Sequence, residues 1–132
     1  MIKRFLNISD LESLLKAKSE YGSKCKILAG GTDLVVRMKT DMIDPDTILS
    51  IRNIDEMKGI IKGKDGTVIG ALTSHTSIEE NALIRKQHYP LYQGVYEIGS
   101  PQIRNMGTLG GNIANASPSG DTIAPLMVMG AK

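Results

Sequence analysis

The 132-residue sequence contains a single cysteine, Cys25, and no tryptophan. One thiol cannot form a disulfide bond within the chain, and it is too few for an iron–sulfur cluster or a zinc site held by this protein alone. Cys25 begins an apolar run that extends to Ala29. We therefore expect Cys25 to be a small core residue rather than a reactive thiol.

Long hydrophobic runs are also lacking. The longest apolar stretch lies near Ala124 to Met129, whereas a membrane-spanning helix needs about 20 apolar residues. The first residues, Met1 to Leu6, carry charge but are not followed by the apolar segment of a secretory signal peptide. The sequence therefore predicts a cytoplasmic protein without a membrane span.

Three common motifs of phosphate and zinc chemistry are missing: the Walker A loop, the Rossmann Gly-x-Gly-x-x-Gly fingerprint and the His-Glu-x-x-His metal site. The sequence has no recognisable pairing of a nucleophile with a base and no carboxylate pair, so it does not indicate nucleophilic or acid–base catalysis. His75 and His88 have no cysteine or carboxylate at ligand spacing. We predict no catalytic residue and no metal ligand, a hydrogen-bonded loop position for His75 and an exposed position for His88.

Charge is scarce towards the end of the chain, where Asp121 is the only charged residue between Asn105 and Ala131. Because 23% of all residues are charged, we expect this stretch to be covered rather than solvated. The net charge of +2 is nearly balanced and does not indicate nucleic-acid binding. Lysine and arginine are concentrated in the first half, which leaves a basic docking surface open as an alternative to solvated helix faces.

Two glycine pairs, Gly30-Gly31 and Gly110-Gly111, are the most informative features that are present. Glycine lets the main chain turn sharply, and N–H groups near such turns form anion-binding concavities. The first pair lies between an apolar run and a helical pattern, so we expect it to deliver N–H groups to a helix N-terminus, which favours phosphate. Short uncharged side chains, including Thr108 and Asn112, accompany the second pair. Together the two turns are predicted to bind the two phosphates of a dinucleotide, although each alone could be a turn without a ligand.

The first half alternates strand and helix patterns. We expect an edge strand at residues 2–6, a helix that Ser9 caps and Gly22 ends, a strand at 25–29, a helix at 33–39 and a strand at 47–51. This order predicts parallel pairing, with ligands at the carboxyl ends of the strands, where Gly30 and Gly31 lie.

The pattern changes after residue 55. An Asp65-Gly66 pair between two β-rich runs predicts an antiparallel hairpin. We therefore divide the chain into a first subdomain, residues 1–55, and a second subdomain, residues 56–132.

Helices are expected in the rest of the second subdomain. One is predicted to open at a capping box that begins with Ser77, and Pro90 is expected in the first turn of the next. A final buried helix is predicted to extend to Gly130 with Thr122 as its N-cap, because that cap places Pro125 in the first turn. Asp121 can then accept a hydrogen bond from a ligand hydroxyl.

Two widely separated segments carry a specific family resemblance. They are Ala29-Gly30-Gly31-Thr32-Asp33-Leu34 and Arg104-Asn105-Met106-Gly107-Thr108-Leu109-Gly110-Gly111-Asn112, followed by Ala116-Ser117-Pro118 and Asp121. In these segments the sequence resembles the FAD-binding domain of the molybdenum hydroxylases, the group of xanthine dehydrogenase, the carbon monoxide dehydrogenase medium subunit and 4-hydroxybenzoyl-CoA reductase. The resemblance runs from about residue 3 to the last residue.

The resemblance implies an α+β fold of the PCMH type, with a small βαβ subdomain of parallel strands and an incomplete mixed or antiparallel second subdomain. It implies that Asp121 contacts FAD. It also implies that the pyrophosphate and neighbouring ribityl or ribose groups of FAD are bound by Ile27, Leu28, Ala29, Gly30, Gly31, Thr32, Asp33, Leu34, Thr108, Leu109, Gly110, Gly111 and Asn112.

The function that the resemblance implies is electron transfer. In the family, a molybdopterin-binding large subunit acts on the substrate, a small subunit with [2Fe–2S] clusters relays electrons, and FAD exchanges them with NAD or another acceptor. Family members continue beyond residue 132, so we expect a partial form that is inactive alone and binds FAD weakly or not at all.

Two alternatives remain. One is a non-catalytic interaction or assembly module whose glycine turns are structural. The other is a relative of the vanillyl-alcohol oxidase group, which usually tethers flavin through a His or Cys beside the glycine turn; no such residue accompanies Gly30 and Gly31.

Overall fold

The structure is a computed structural model that describes residues 2–132. Main-chain contacts divide the chain into two compact units, Met1–Met57 and Lys58–Lys132, and each unit is described by itself. None of the helices among residues 2–132 has the length and apolar sequence that crossing a membrane would require.

The first unit contains a parallel sheet of three short strands. These are β1 (Arg4–Asn7), β2 (Cys25–Leu28) and β3 (Thr47–Ser50), in the order β1-β3-β2. β3 pairs with both neighbours, Leu49 lying opposite Leu6 on one side and Ile27 on the other. The predicted parallel pairing and the edge position of the first strand are confirmed.

Two α-helices belong to this unit, α1 (Leu11–Tyr21) and α2 (Leu34–Lys39), together with two short 3₁₀ helices, Gly22–Lys24 and Asp55–Met57. The prediction that Ser9 caps α1 was wrong. Asp10 is the N-cap, because its main chain is extended and its carboxylate accepts from the Ser13 N–H at 2.7 Å and from the Ser13 hydroxyl at 2.8 Å.

The core of the first unit lies around the central strand. All four residues of β3 are buried, as the middle strand of a parallel sheet should be. Cys25 is buried, which confirms its prediction as a core residue. The other buried apolar residues of this unit are Ile8, Leu14, Ala17, Ile48, Leu49, Ile51 and Ile54.

The second unit begins with an antiparallel hairpin of β4 (Ile60–Lys62) and β5 (Thr67–Ile69), as the Asp-Gly pair predicted. Six short helices follow: α3 (His75–Glu79), α4 (Ala82–Gln87), α5 (Tyr89–Tyr96), α6 (Pro101–Met106), α7 (Leu109–Asn115) and α8 (Ile123–Val128).

Short polar side chains cap four helices of this unit, α3, α4, α6 and α7. Pro90 lies in the first turn of α5, as predicted. The capping box at Ser77 was wrong, because α3 begins earlier and its cap is Ser74, whose hydroxyl accepts from the Ser77 N–H at 3.1 Å. Asn81 then caps the next helix through the N–H groups of Leu83 and Ile84.

An apolar cluster joins the helices of the second unit. Its buried members are Ile78, Ile84, Leu91, Val95, Ile98 and Leu109. α8 contributes only the partly buried Leu126 at this cluster, with Met129 just beyond its end. The prediction of a buried final helix was therefore wrong: Met127 and Val128 point away from the cluster and are 75% and 83% exposed.

Gly94, in the middle of α5, allows a close approach of the turn before α8. A Cβ atom at this position would overlap the carbonyl oxygen of Asp121 and would lie 3.1 Å from Pro125 Cγ. A main-chain carbonyl cannot move away as a flexible side chain can. The turn before α8 therefore packs on α5 only because residue 94 has no side chain.

We predict that Gly94→Ala lowers the free energy of unfolding by about 1–3 kcal/mol, because the overlap outweighs the gain in helix propensity, which is about 1 kcal/mol. Urea unfolding would measure the change. Gln93→Ala, an exposed substitution in the same helix, is the matched control and should leave stability nearly unchanged. Equal stability of the two variants would contradict the close packing.

Candidate functional site

The loop after β2 is shaped by a side chain from beyond β3. Arg52 donates from Nε to the Ala29 carbonyl at 2.9 Å and from Nη2 to the Gly30 carbonyl at 2.8 Å. Gly31 has a φ of +80°, a left-handed conformation that favours glycine. The guanidinium and the left-handed residue together fix the path of this glycine turn.

The N–H groups of the turn remain available. Among residues 2–132, none of the N–H groups of Gly30, Gly31 and Thr32 donates to a protein acceptor. Since Arg52 holds two of the carbonyls, the N–H groups are what the loop can offer to a ligand. Successive main-chain N–H groups of this kind bind anions.

The helix that follows contributes less to anion binding than the sequence predicted. α2 has only six residues, and its first cap, Asp33, makes no side-chain capping bond. The Asp33 carboxylate instead lies 3.8 Å from Arg37 in an exposed ion pair. We therefore attribute anion binding at this loop to its N–H groups and not to a helix end.

The second glycine pair is not a turn, which corrects the sequence prediction. Gly110 and Gly111 lie in the first turn of α7, which Thr108 caps. The N–H groups of this turn already have acceptors: Leu109 donates to the Thr73 carbonyl at 3.0 Å, Gly110 to the Ala71 carbonyl at 2.8 Å, and Gly111 to the Thr108 hydroxyl at 3.1 Å. The main chain here cannot serve an anion as the first loop can.

Packing explains the glycine at position 110. A Cβ atom there would lie 2.8 Å from both the carbonyl oxygen and the Cβ of Ala71. Gly110 therefore lets the start of α7 lie directly on the 71–73 loop, with which it is hydrogen-bonded. Glycine is therefore required at position 110 for packing, whether or not a ligand binds nearby.

Polar side chains after this turn are the remaining donors and acceptors. The Thr122 hydroxyl donates to Asn112 Oδ1 at 2.6 Å, and the Asn112 amide NH2 donates to no acceptor among residues 2–132. Thr122 is the N-cap of α8, as predicted, but its side chain makes no capping bond. Asp121 is exposed. The second unit thus offers an amide donor and a carboxylate acceptor.

The position of His75, which contacts Gly107 just before α7, differs from its prediction. It is the first residue of α3, only 3% exposed, and its Nδ1 has no hydrogen-bond partner among the described residues. Its N–H donates to the Gly107 carbonyl at 3.0 Å, and its ring edge lies against Gly107. His88, predicted to be exposed, is half-buried and hydrogen-bonded to the Thr67 hydroxyl at 2.8 Å.

A partly buried ion pair lies close to this histidine. Arg104 donates to Glu79 at 2.7 Å and to the Ile98 carbonyl at 3.1 Å. Burial of the ring, reinforced by the positive charge of Arg104 and opposed by Asp121, lowers the pKa of His75 to about 4. The imidazole is therefore neutral at physiological pH.

These features lie in a chain that matches a known family. Residues 3–132 match the FAD binding domain in molybdopterin dehydrogenase. The chain belongs to this family. The resemblance inferred from the two glycine segments is thereby confirmed.

Relatives of this FAD-binding domain include subunits of several dehydrogenases. The FAD-subunit of nicotinate dehydrogenase from Eubacterium barkeri is 38% identical over 105 residues, which are 80% of this chain and 36% of that subunit. The glyceraldehyde dehydrogenase medium chain of Sulfolobus acidocaldarius is 32% identical over 127 residues, 96% of this chain and 45% of that one.

A solved structure of the reconstituted CO dehydrogenase from Oligotropha carboxidovorans contains the same fold. Its TM-score is 0.88 at 28% identity, over 92% of this chain and 42% of that chain. The predicted α+β fold is confirmed by this match. The FAD-binding domain described here spans less than half the length of these relatives.

Residues that organise the FAD-binding domain locally were only weakly indicated by sequence. Arg52 and Thr122 were not predicted as site-forming side chains, although the position of Arg52 just after a strand end placed it beside the first glycine turn. The acceptors at Ala71 and Thr73 have no sequence signal, because a carbonyl is present at every residue.

We predict that the free energy of unfolding decreases as the pH is lowered through a window set by His75. The unfolded histidine has a pKa near 6.5, and the folded one a pKa of about 4, so between these values only the unfolded state binds the proton. Above pH 6.5 the contribution is fully present, and it should fall by about 2 kcal/mol between pH 7 and pH 5.

Urea unfolding of the wild type and of His75→Gln at both pH values checks this prediction. The variant should lose less stability on acidification, because glutamine does not titrate. Parallel pH profiles of the two proteins would contradict a depressed pKa at His75.

Proposed function

We propose that this chain is part of a FAD-binding electron-transfer subunit of a molybdopterin-dependent dehydrogenase. The subunit would exchange electrons between [2Fe–2S] clusters on a small partner subunit and an external acceptor such as NAD, while a molybdopterin-binding large subunit acts on the substrate. The observation that carries the proposal is the family match over residues 3–132. The names of the relatives, which include nicotinate, glyceraldehyde and CO dehydrogenases, support the enzyme class.

The first unit fits the diphosphate of FAD. We propose that residues Ile27–Leu34 bind it through the N–H groups of Gly30, Gly31 and Thr32, which have no protein acceptor among residues 2–132. The diphosphate is an anion, and N–H dipoles can hold it without a lysine. The guanidinium of Arg52, on the carbonyls of the same turn, adds positive charge to this loop.

The second unit fits FAD through side chains more than through main-chain N–H groups. We propose Thr108, Leu109, Gly110, Gly111, Asn112 and Asp121 as its contributors. Asn112 can donate from its amide, and Asp121 can accept from a hydroxyl of the cofactor. The other four residues shape the surface, since the N–H groups of the first turn of α7 are already bonded.

The bound flavin supplies the redox chemistry, accepting electrons from one carrier and delivering them to another. The residues of this chain bind and orient the cofactor, and none of them is assigned a catalytic proton transfer. His75 is consistent with this role, because a neutral buried imidazole adds no charge to the second unit. That the two glycine segments converge on one diphosphate, and that the two units are the two subdomains of the family domain, stay predictions.

The visible absorption spectrum of the complete protein tests the proposal. Flavin bands near 370 and 450 nm, roughly, are expected because FAD carries the chemistry. We predict that Gly111→Val abolishes flavin retention by steric exclusion. The protein should stay folded, because valine has a helix propensity about 0.3 kcal/mol more favourable than that of glycine.

Ala114→Val is the matched control for this substitution, because Ala114 is an exposed residue of the same helix. It should keep its flavin. Full flavin content in a folded Gly111→Val protein would count against the assigned site. Absence of flavin from the wild-type complete protein would favour a non-catalytic assembly module.

We also predict that Arg52→Gln weakens FAD binding about tenfold, because the charge-assisted hydrogen bonds that fix the loop are lost. Fluorescence titration of the apoprotein with FAD measures the dissociation constant. Arg37→Gln is the control, since its ion pair with Asp33 is exposed and contributes little. Equal affinities of the Arg52 and Arg37 variants would show that the guanidinium does not organise the loop.

A further inference from the structure

Thr122 is fully buried, yet its hydroxyl does not serve the helix that it begins. It occupies the N-cap position of α8 and makes no side-chain capping bond there. The hydroxyl instead donates to Asn112 Oδ1, at 2.6 Å, across to α7. A buried hydroxyl needs a hydrogen-bond partner, and here that partner is a side chain of another helix instead of the N-terminus of α8.

The direction of this hydrogen bond fixes which end of the amide is held. The oxygen of an asparagine side chain only accepts and its NH2 only donates, so Thr122 must be the donor. The Asn112 amide is thereby held by its oxygen. Both N–H bonds of its NH2 group remain, and neither has an acceptor among residues 2–132.

The main chain of Asn112 is held independently. Its N–H donates to the Thr108 carbonyl at 3.0 Å, and the turn before it is bonded to the Ala71 and Thr73 carbonyls. α7 therefore sets where the side chain begins, and Thr122 sets how the amide is turned. An amide without such a partner could present either its oxygen or its nitrogen to a ligand.

We propose that Thr122 is a positioning residue that presents the Asn112 NH2 group to an acceptor oxygen of FAD. This inference rests on the proposed function. The NH2 group would recognise an oxygen that accepts hydrogen bonds, such as a phosphate or carbonyl oxygen. An amide turned the other way would place its own oxygen against that acceptor and repel it. Thr122 itself does not touch the ligand.

A double-mutant cycle in the complete protein tests the coupling. Thr122→Val removes the donor and keeps the shape, and Thr122→Ser keeps the donor. We expect Thr122→Val to raise the dissociation constant for FAD about tenfold, and Thr122→Ser by no more than about threefold. In an Asn112→Ala background, Thr122→Val should change it by less than about twofold, because the group that it positions is gone.

Asn112→Asp gives a second, independent readout. It keeps the acceptor for the Thr122 hydroxyl, so the thermal midpoint of the apoprotein should stay close to that of the wild type. It replaces the NH2 group by an anionic oxygen, so FAD binding should be lost. If the amide were held the other way round, with its oxygen towards FAD, Asn112→Asp would keep its affinity, and that result would overturn the proposal.

The remaining outcomes separate this proposal from the proposed function. Equal effects of Thr122→Val in the wild-type and Asn112→Ala backgrounds would show that Thr122 acts only through packing. Wild-type affinity in Thr122→Val would also overturn the inference while leaving FAD binding intact. A wild-type complete protein that binds no FAD would instead overturn the proposed function itself.

Discussion

The second unit depends on the hydrogen bonds between the 71–73 loop and the first turn of α7. Two N–H groups at the start of that helix donate to the carbonyls of Ala71 and Thr73, and the Thr108 hydroxyl accepts a third. A helix start ordinarily leaves such groups for solvent or a ligand. Here they join the helix to a loop, and Gly110 is required because the joint leaves no room for a side chain.

The first glycine pair shows the opposite arrangement. Arg52 holds the carbonyls of Ala29 and Gly30, which lie 23 and 22 residues away in sequence, and the N–H groups of the glycine pair have no acceptor among residues 2–132. Two similar Gly-Gly sequences therefore have different uses. The first pair has main-chain N–H groups without an acceptor among residues 2–132. The second pair is a packing contact, and the polar groups near it without a partner in the described part of the chain belong to the side chain of Asn112 and to the exposed Asp121.

The partly buried charges of α3 and α6 form a neutral pair. Arg104 is paired with Glu79 at 2.7 Å and also donates to a main-chain carbonyl, which compensates for its removal from water. The adjacent His75 is kept neutral by burial and by that same arginine. This local arrangement supports α3 against α6 without placing a net charge at the start of α7.

The sequence by itself determined the alternation of strands and helices, the parallel and antiparallel halves, the place of the glycine pairs and the family. These depend on residue periodicity and on the conformational freedom of glycine, which are local properties. Helix starts were less predictable, because Ser9 and Asp10, or Ser74 and Ser77, are equally able to cap. Only the tertiary structure decided which N–H groups of the glycine segments are already bonded, that Arg52 orders one turn and that Thr122 turns toward Asn112. Those outcomes depend on acceptors brought together by folding, and main-chain carbonyls are alike at every position of a sequence.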